Sequence, residues 1–471
     1  MTNPSIVLFR QDLRLEDNPA LSAAAQKGGP VIPVFSWVFN PEKEWQLGGA
    51  SQWWLYYSLI SLKNDLSELG LSLIIRKEDP LKSLLEIAQE TGADTVYWNR
   101  RYEPMLIQDD AKIKTELQKQ GIKTHSFNGN LLFEPWTIAN KQGKPFQVFT
   151  PFWNQCLKLN NPEVPLPVPH SLKKFVGQLQ TESIDSLNLL PKIKWDKGLK
   201  EVWSPGAKSA KALLKKGLTR VIDQYLEIRD LPDHNGTSLL SPYLHFGEIS
   251  PRMIWQAVKE NSTSKGAEGY LRQIGWREFA YHLLYHFPET PQKPLRSQFN
   301  SFSWKNDKQN LKAWQKGQTG YPIVDAGMRQ LWKIGWMHNR VRLIVGSFLV
   351  KDLMIHWIEG AKWFWDTLVD ADLANNTMGW QWIAGCGADA APYFRIFNPI
   401  TQGEKFDPEG NYVKKWVPEL INLPKKWIHQ PWEAPEEILR QSGIELGINY
   451  PKPIVNHAKA REEALQAYSR L

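Results

Sequence analysis

The run Ser5-Ile6-Val7-Leu8-Phe9, followed by Arg10-Gln11-Asp12-Leu13-Arg14, decides how this chain is read. Five uncharged and mostly large apolar residues in a row suit a strand buried on both faces. The loop after it is charged, not glycine-rich, so it is not the phosphate loop of a nicotinamide-binding domain. Working outward, similar runs return at residues 31–35, 71–75, 95–98 and Lys123–Phe127. Stretches with helical spacing separate them. Residues 18–26 are closed by Gly28-Gly29. Residues 51–69 have Ser51 as N-cap and Gly70 just past the end. Pro80–Thr91 lies between Asp79 and Gly92, and residues 110–120 end at Gly121. Strand and helix in alternation predict an α/β domain, a doubly wound parallel sheet that takes ligands beyond the carboxyl ends of its strands.

The pattern changes after residue 130. Pro135, Pro145, Pro151, Pro162, Pro165, Pro167 and Pro169 interrupt any long element, and residues 131–204 read as an interdomain connector. From 205 to 471 the strand signal fades. Residues 207–228, Pro251–Asn261, 266–286, 325–335 and 341–357 carry helical spacing, so a second, all-helical domain is expected. No internal repeat or low-complexity segment stands out.

Composition narrows the function classes. With 471 residues, 42% hydrophobic and 23% charged, the chain is not largely disordered. Its net charge of +8 permits a polyanionic partner without proving one. The two cysteines, Cys156 and Cys386, cannot build a disulfide framework, a four-cysteine zinc site or an iron–sulfur cluster. No metal site is expected from the ten histidines. No apolar run reaches the roughly 18 residues of a membrane span, and residues 341–350 stop at Lys351. A soluble, cytoplasmic, monomeric protein without a secretory leader is expected. The 23 tryptophans are mostly core by default, and the rest could stack bases or carry electrons.

Several long motifs carry more. They are Arg10–Asn18 (RQDLRLEDN); Trp276-Arg277-Glu278-Phe279; Tyr321-Pro322-Ile323-Val324-Asp325-Ala326-Gly327-Met328-Arg329-Gln330-Leu331; and Gly335-Trp336-Met337-His338-Asn339-Arg340-Val341-Arg342. Asp370-Ala371-Asp372-Leu373-Ala374-Asn375-Asn376-Thr377-Met378-Gly379-Trp380-Gln381-Trp382 follows, then Arg395-Ile396-Phe397-Asn398-Pro399 and Phe406-Asp407-Pro408-Glu409-Gly410. Together, in order and over nearly the whole chain, these closely resemble the photolyase/cryptochrome family. Within it the chain looks most like bacterial cyclobutane pyrimidine dimer photolyases. Gly49-Ala50-Ser51-Gln52-Trp53-Trp54-Leu55 is a feature of the class III branch.

The resemblance implies FAD in the helical domain. Tyr225, Thr237, Ser238, Leu239 and Ser241 would hold its phosphates and adenosine side. Read alone, Gly236-Thr237-Ser238 is either a phosphate-cradling helix start or an ordinary N-cap. Arg342 and Asp370 match an ion pair against the isoalloxazine, Asp372 a hydrogen-bonding partner of the flavin, and Trp336 and Asn339 further cofactor neighbours. Asn376 matches the residue facing flavin N5. An amide there is a poor proton donor, and plant cryptochromes usually carry Asp at this place. Trp380, Trp357 and Trp304 match a chain that passes electrons to photoexcited flavin.

The same resemblance implies DNA containing pyrimidine dimers as partner, with the lesion flipped out of the duplex. Trp276 and Trp382 match the aromatic walls, Asn339 a dimer-contacting amide, and Arg229 an arginine near the phosphates. Two positions depart. Gln273 stands where a Glu is usual, and Leu343 where a Met is usual. Enzymes for (6-4) photoproducts carry His where Asn339 and Leu343 stand. Arg10, Ser36, Trp37, Gln52, Tyr102 and Glu103 are candidates for a second pigment, methenyltetrahydrofolate, with a deazaflavin or a flavin as alternatives. The expected activity is light-driven dimer repair by a deoxyribodipyrimidine photo-lyase. The alternative is a cryptochrome photoreceptor without repair. Gln273 and Leu343 lean toward it; Asn376, both lesion-site tryptophans and the lack of a long tail after Gly410 lean away. Gly385-Cys386-Gly387-Ala388-Asp389-Ala390 fits GxGxxA but follows no strand pattern and meets Pro392, so it is not read as a dinucleotide fingerprint.

Overall fold

A computed structural model of the chain describes residues 2–40, 44–159, 162–389 and 395–471. By contact it divides into two compact units. One comprises Met1–Asp223 and Ser238–Pro288, the other Gln224–Thr237 and Glu289–Leu471.

The first unit opens with β1 (Ser5–Phe9), α1 (Pro19–Lys27), β2 (Pro30–Ser36), α2 (Gly49–Glu68) and β3 (Ile74–Arg76). It continues through α3 (Pro80–Thr91), β4 (Thr95–Asn99), α4 (Pro104–Lys119) and β5 (Lys123–Phe127). The strands lie in the order β3-β2-β1-β4-β5, every neighbour parallel. This is the predicted doubly wound sheet. Ile6, Leu8, Ile32, Val34, Val96 and Trp98 pack on Leu84 and Ile87 of α3 and on Ile113 and Leu117 of α4. Val7 and Phe9 point the other way along β1 and are equally buried, so both faces are covered. The strand order reverses between β1 and β4, which opens a crevice beyond their carboxyl ends.

Local chemistry sets the boundaries. The Asn18 side chain accepts the N–H of Leu21 at 3.1 Å and Asp79 that of Leu81 at 2.9 Å, each before a proline in the first helical turn. Helix α2 differs from the expectation. Gln52 N–H already donates to Gly48 O at 2.9 Å, so the helix starts at Gly49, and Ser51 is buried inside it instead of capping it. Residues 71–73 are not strand, because Leu71 N–H turns back to Leu66 O at 3.0 Å and β3 pairs with β2 only from Ile74. Helix α4 starts six residues before Asp110, with Pro104 in its first turn.

The proline-rich stretch holds α5 (Phe149–Lys158), β6 (Lys173–Lys174) and α6 (Lys197–Val202), and β6 pairs in parallel with the start of β2. Residues 207–228 are two helices rather than one. α7 (Ala207–Arg220) stops where Val221 and Ile222 N–H both turn to Gly217 O, and α8 (Tyr225–Ile228) belongs to the second unit. α9 (Ser241–His245), α10 (Pro251–Asn261) and α11 (Lys265–His286) return to the first unit.

The second unit continues with α12 (Lys308–Lys316), α13 (Pro322–Ile334), α14 (Asn339–Ser347), α15 (Trp357–Thr367) and α16 (Leu373–Ala384). It ends with α17 (Pro399–Phe406), α18 (Asn411–Trp416), α19 (Glu436–Gln441) and α20 (His457–Tyr468). The stretch 341–357 is not one helix. After α14 the chain makes a π-turn over Phe348–Asp352, then reverses at Met354 with φ 53°. Trp357 therefore begins a new helix, capped by His356. Much of the motif sequence is spent on such junctions. The Asp325 carboxylate accepts the N–H groups of Thr319 and Gly320 and the Tyr450 hydroxyl, and Asp407 accepts those of Tyr412 and Val413.

Candidate functional site

Helix α16 has two distinct sides. Leu373, Ala374, Thr377, Trp380, Gln381 and Ala384 are buried. Asn375, Asn376, Gly379 and Trp382 are half-buried, with Asp372 at the N-cap end of the same side. A Cβ placed at Gly379 would meet nothing within 4 Å beyond its own stretch of helix. This side therefore borders open space against which a flat group can lie. Asp372 holds the start of the helix by accepting Asn375 N–H at 2.8 Å, and Asn376 is oriented by donating to Ala361 O at 3.1 Å.

Helix α14 adds an ion pair. The Nη2 of Arg342 donates to both oxygens of Asp370, at 3.0 and 2.8 Å, while Nε donates to Met337 O at 2.8 Å. Asp370 is nearly sealed at 4% side-chain exposure, whereas Arg342 is 22% exposed. The guanidinium lies 5.9 Å from the Trp336 ring centre. A buried carboxylate with a cation open on one side suits an electron-rich polar ring edge better than an apolar ligand. Asn339 and Leu343 lie on the accessible part of the same helix.

Behind α16 the aromatic packing is close. Trp380 is 2% exposed, with ring centroids 5.0 Å from Phe364 and 6.2 Å from Trp314. A Cβ at Gly360 would fall 2.1 Å from the Trp380 ring, so only glycine allows α15 this near. Trp357 lies one turn earlier on the same buried side of α15. Trp304, half-buried, contacts His356 at 5.1 Å.

Trp382 borders an open cavity of about 520 Å³, whose lining includes Asp230, Arg340, Arg395, Lys405 and Phe406. Arg340 is held by Asp230 at 2.9 Å and lies 4.3 Å over the Phe406 ring. Arg229, a predicted phosphate contact, covers the Tyr225 ring at 5.2 Å. The sequence reading missed Arg340, Arg395 and Lys405, which among 57 cationic residues carry no signal except motif position for the first two.

In the first unit, Gln273 and Trp276 are half-buried neighbours on α11. One face of Trp276 is stacked on Phe149, with centroids 3.7 Å apart and planes at 8°. Gln273 donates to Gly269 O of its own helix at 3.3 Å. Thr237 and Ser238 start no helix: α9 begins at Ser241, and Leu239 sits in the left-handed region at φ 56°. Strain of this kind concentrates at ligand loops. Ser238 accepts the Tyr270 hydroxyl at 2.9 Å.

The pigment candidates all belong to the first unit, with Arg10 and Ser36 each one residue past the paired Phe9 and Phe35. Arg10 and Glu103 lie where the strand order reverses. Arg10 pairs with Asp110, and Glu103 accepts Gln11 Nε2 at 3.1 Å. Ser36, at the end of β2, donates to Glu78 O at 2.8 Å, while Gln52 donates to Leu47 O and Tyr102 to Glu134. Trp37 is half-buried beside the exposed Phe39, centroids 6.3 Å apart. His282 and His286 are four apart on α11, a metal-ligand spacing that the reading of the histidines overlooked. Both instead meet Pro135 O, and burial holds His282 down at about 4. Among the described residues no cluster of three or more His, Cys, Asp or Glu side chains is arranged to hold a metal ion. The GxGxxA-like segment follows helix α16, not a strand; its Ala390 and Pro392 lie outside the described residues.

Comparison with known proteins agrees with this architecture. Residues 270–470 match the FAD binding domain of DNA photolyase, and residues 5–170 match DNA photolyase. The class is thus a flavoprotein of the DNA photolyase type. A deoxyribodipyrimidine photo-lyase of Agrobacterium fabrum is 49% identical over 99% of this chain and 98% of its own length. Cryptochrome-2 of Arabidopsis thaliana is 43% identical over 100% of this chain and 79% of its own. The crystal structure of a class III photolyase from Agrobacterium tumefaciens matches with a TM-score of 0.96 at 48% identity, covering 100% of this chain and 98% of that one. The chain belongs to the photolyase/cryptochrome family. No helix among the described residues is long and apolar enough to cross a membrane.

Proposed function

We propose that this chain is a deoxyribodipyrimidine photo-lyase that repairs cyclobutane pyrimidine dimers in DNA by light-driven electron transfer. The observation that carries the reading is the half-open side of α16, with Asn376, Gly379 and Trp382 in line and Trp380 buried behind them. Bound FAD would supply, under near-ultraviolet or blue light, the electron that opens the cyclobutane ring and is then recovered. Arg342 and Asp370 would fix the ring edge, and Asn376 would hold a neutral amide at N5. Tyr225, Thr237, Ser238, Leu239 and Ser241 would bind the phosphates and adenosine side. Trp276 and Trp382 each offer an indole face to a flipped base, a contact worth roughly 1–3 kcal/mol. Arg229, Arg340, Arg395 and Lys405 would hold the phosphate backbone without reading sequence.

In this reading residues 1–130 house a light-harvesting pigment, 131–204 connect, and 205–471 bind FAD in a monomeric cytoplasmic enzyme. Methenyltetrahydrofolate is the preferred pigment, with a deazaflavin or flavin as alternatives. A photolyase of Sulfolobus tokodaii, 31% identical with a TM-score of 0.85, was solved with two FAD molecules. One observation favours the cryptochrome alternative: Gln273 brings no acid and bonds its own helix. Binding of a dimer-containing oligonucleotide separates the two. Trp276→Ala and Asn339→Ala should each weaken binding by several-fold in a photolyase. Equal affinity of wild type for damaged and intact DNA would contradict the proposal.

A further inference from the structure

His356 touches two of the three chain tryptophans. Its ring centroid lies 5.6 Å from that of Trp357, planes at 30°, and 5.1 Å from that of Trp304. Two features hold it there. Nδ1 accepts the N–H of Ile358 at 3.1 Å and so caps α15. The segment carrying Trp304 is tied to the one carrying His356, because Lys305 N–H donates to Met354 O at 2.8 Å and Lys305 bridges Ile355 in parallel. Phe302 supports Trp304 from another side at 4.4 Å.

The environment favours the neutral ring. With Nδ1 accepting, its proton stands on Nε2. The positive end of α15 disfavours a second charge. Burial pushes the imidazole below its ordinary 6.5, with Glu359 opposing and Lys362 assisting. Three charged groups of the surrounding elements are engaged elsewhere. Lys305 pairs with Glu463 of α20, Asp352 of the π-turn pairs with His457, and Lys351 donates to Ala384 O.

We propose that His356 is a positioning residue of the electron chain: it fixes the Trp304 and Trp357 rings against a shared neutral ring, so that an electron crosses from Trp304 to Trp357. The inference rests on reading Trp304, Trp357 and Trp380 as that chain. In the step, oxidised Trp357 takes one electron from Trp304. Trp304 becomes a radical cation and gives its indole proton to water, and a thiol in solution returns the electron and a proton. An imidazolium at His356 would lie closer to Trp304, where the positive charge arrives, than to Trp357, which it leaves, at 5.1 against 5.6 Å, and would oppose the transfer.

The test uses full-length protein loaded with FAD. Nuclear magnetic resonance of the dark protein should show the Nε2–H tautomer of His356, titrating below 6.5. Transient absorption should show the yield of the Trp304 radical falling with that titration. His356→Asn keeps a capping acceptor but removes the ring; it should cut the radical yield several-fold and flatten its pH profile. His356→Phe, which keeps a ring, should restore the yield with a flat profile. Unchanged yield and pH dependence in His356→Asn would overturn the inference. If that variant does not fold, a titrating yield in His356→Phe would do the same. Trp380→Phe separates the levels: radical formation that survives it removes the chain reading and this inference together, whereas its loss with a silent His356→Asn removes the inference alone.

Discussion

Trp380 is pinned between helices rather than merely enclosed: Gly360 admits its ring, and Phe364 and Trp314 meet it edge-on. Its neighbour Asn376 is half-buried on the same helix and donates to Ala361 O of α15. If Trp380 is the first donor to the flavin, Trp380→Phe should slow light-driven reduction of FAD by orders of magnitude. Repair by enzyme already reduced chemically should largely survive. Time-resolved flavin absorbance checks the first, and repair of a dimer-containing oligonucleotide by dithionite-reduced variant the second. Gln273 makes a separate test. An acid bonded to a base donor contributes about 1.5–3 kcal/mol where a neutral amide gives roughly 0.5–1.5. Gln273→Glu should therefore tighten dimer binding modestly, and Gln273→Glu with Leu343→Met somewhat further, both read by titration of a fluorescent oligonucleotide.

The contact between α15 and α16 depends on one missing side chain. Gly360→Ala would drive a methyl group into the Trp380 ring, and overpacking of this kind costs roughly 1–3 kcal/mol. The variant should melt several degrees lower and photoreduce more slowly, because the ring must move. A second element-level device ties α2 to the loop before α10. Glu248 is fully buried and accepts Trp54 Nε1 at 3.1 Å and Ser58 Oγ at 2.6 Å, and burial pushes its carboxyl up to about 8 from 4.5. Between those values the unfolded chain releases this proton while the folded chain keeps it. Its contribution is complete below pH 4.5 and is lost as pH rises toward 8. Glu248→Gln should thus gain stability relative to wild type with rising pH, on the order of 5 kcal/mol from acid to alkaline conditions, in paired thermal melts. Neither device is written in the apolar pattern. Gly360 looks like an ordinary weak helix residue, and Glu248 like a surface acid. The break inside 341–357 is equally silent, because the π-turn and the reversal at Met354 use neither proline nor glycine.

For the molecule as a whole, the parallel sheet was legible because β1, β2 and β4 are short, largely apolar runs and α1 and α3 start after Asn18 and Asp79 and stop at glycines. The helical part was legible as helical, but not where its chain turns. The candidate site was proposed from sequence only where long motifs set Arg342, Asp370, Asn376 and the tryptophans in order. The cationic rim of Arg340, Arg395 and Lys405 was not, since a lone surface cation resembles any other until the fold gathers several at one cavity. Gln273 and Leu343 leave the balance between repair and photoreception to experiment. The most direct measurement is repair itself: chemically reduced, FAD-loaded wild-type protein, an oligonucleotide with one thymine dimer, and blue light against darkness. The account predicts restoration of the intact thymines in the light and none in the dark. A protein that binds FAD, photoreduces through Trp380 and yet repairs nothing in the light would contradict it.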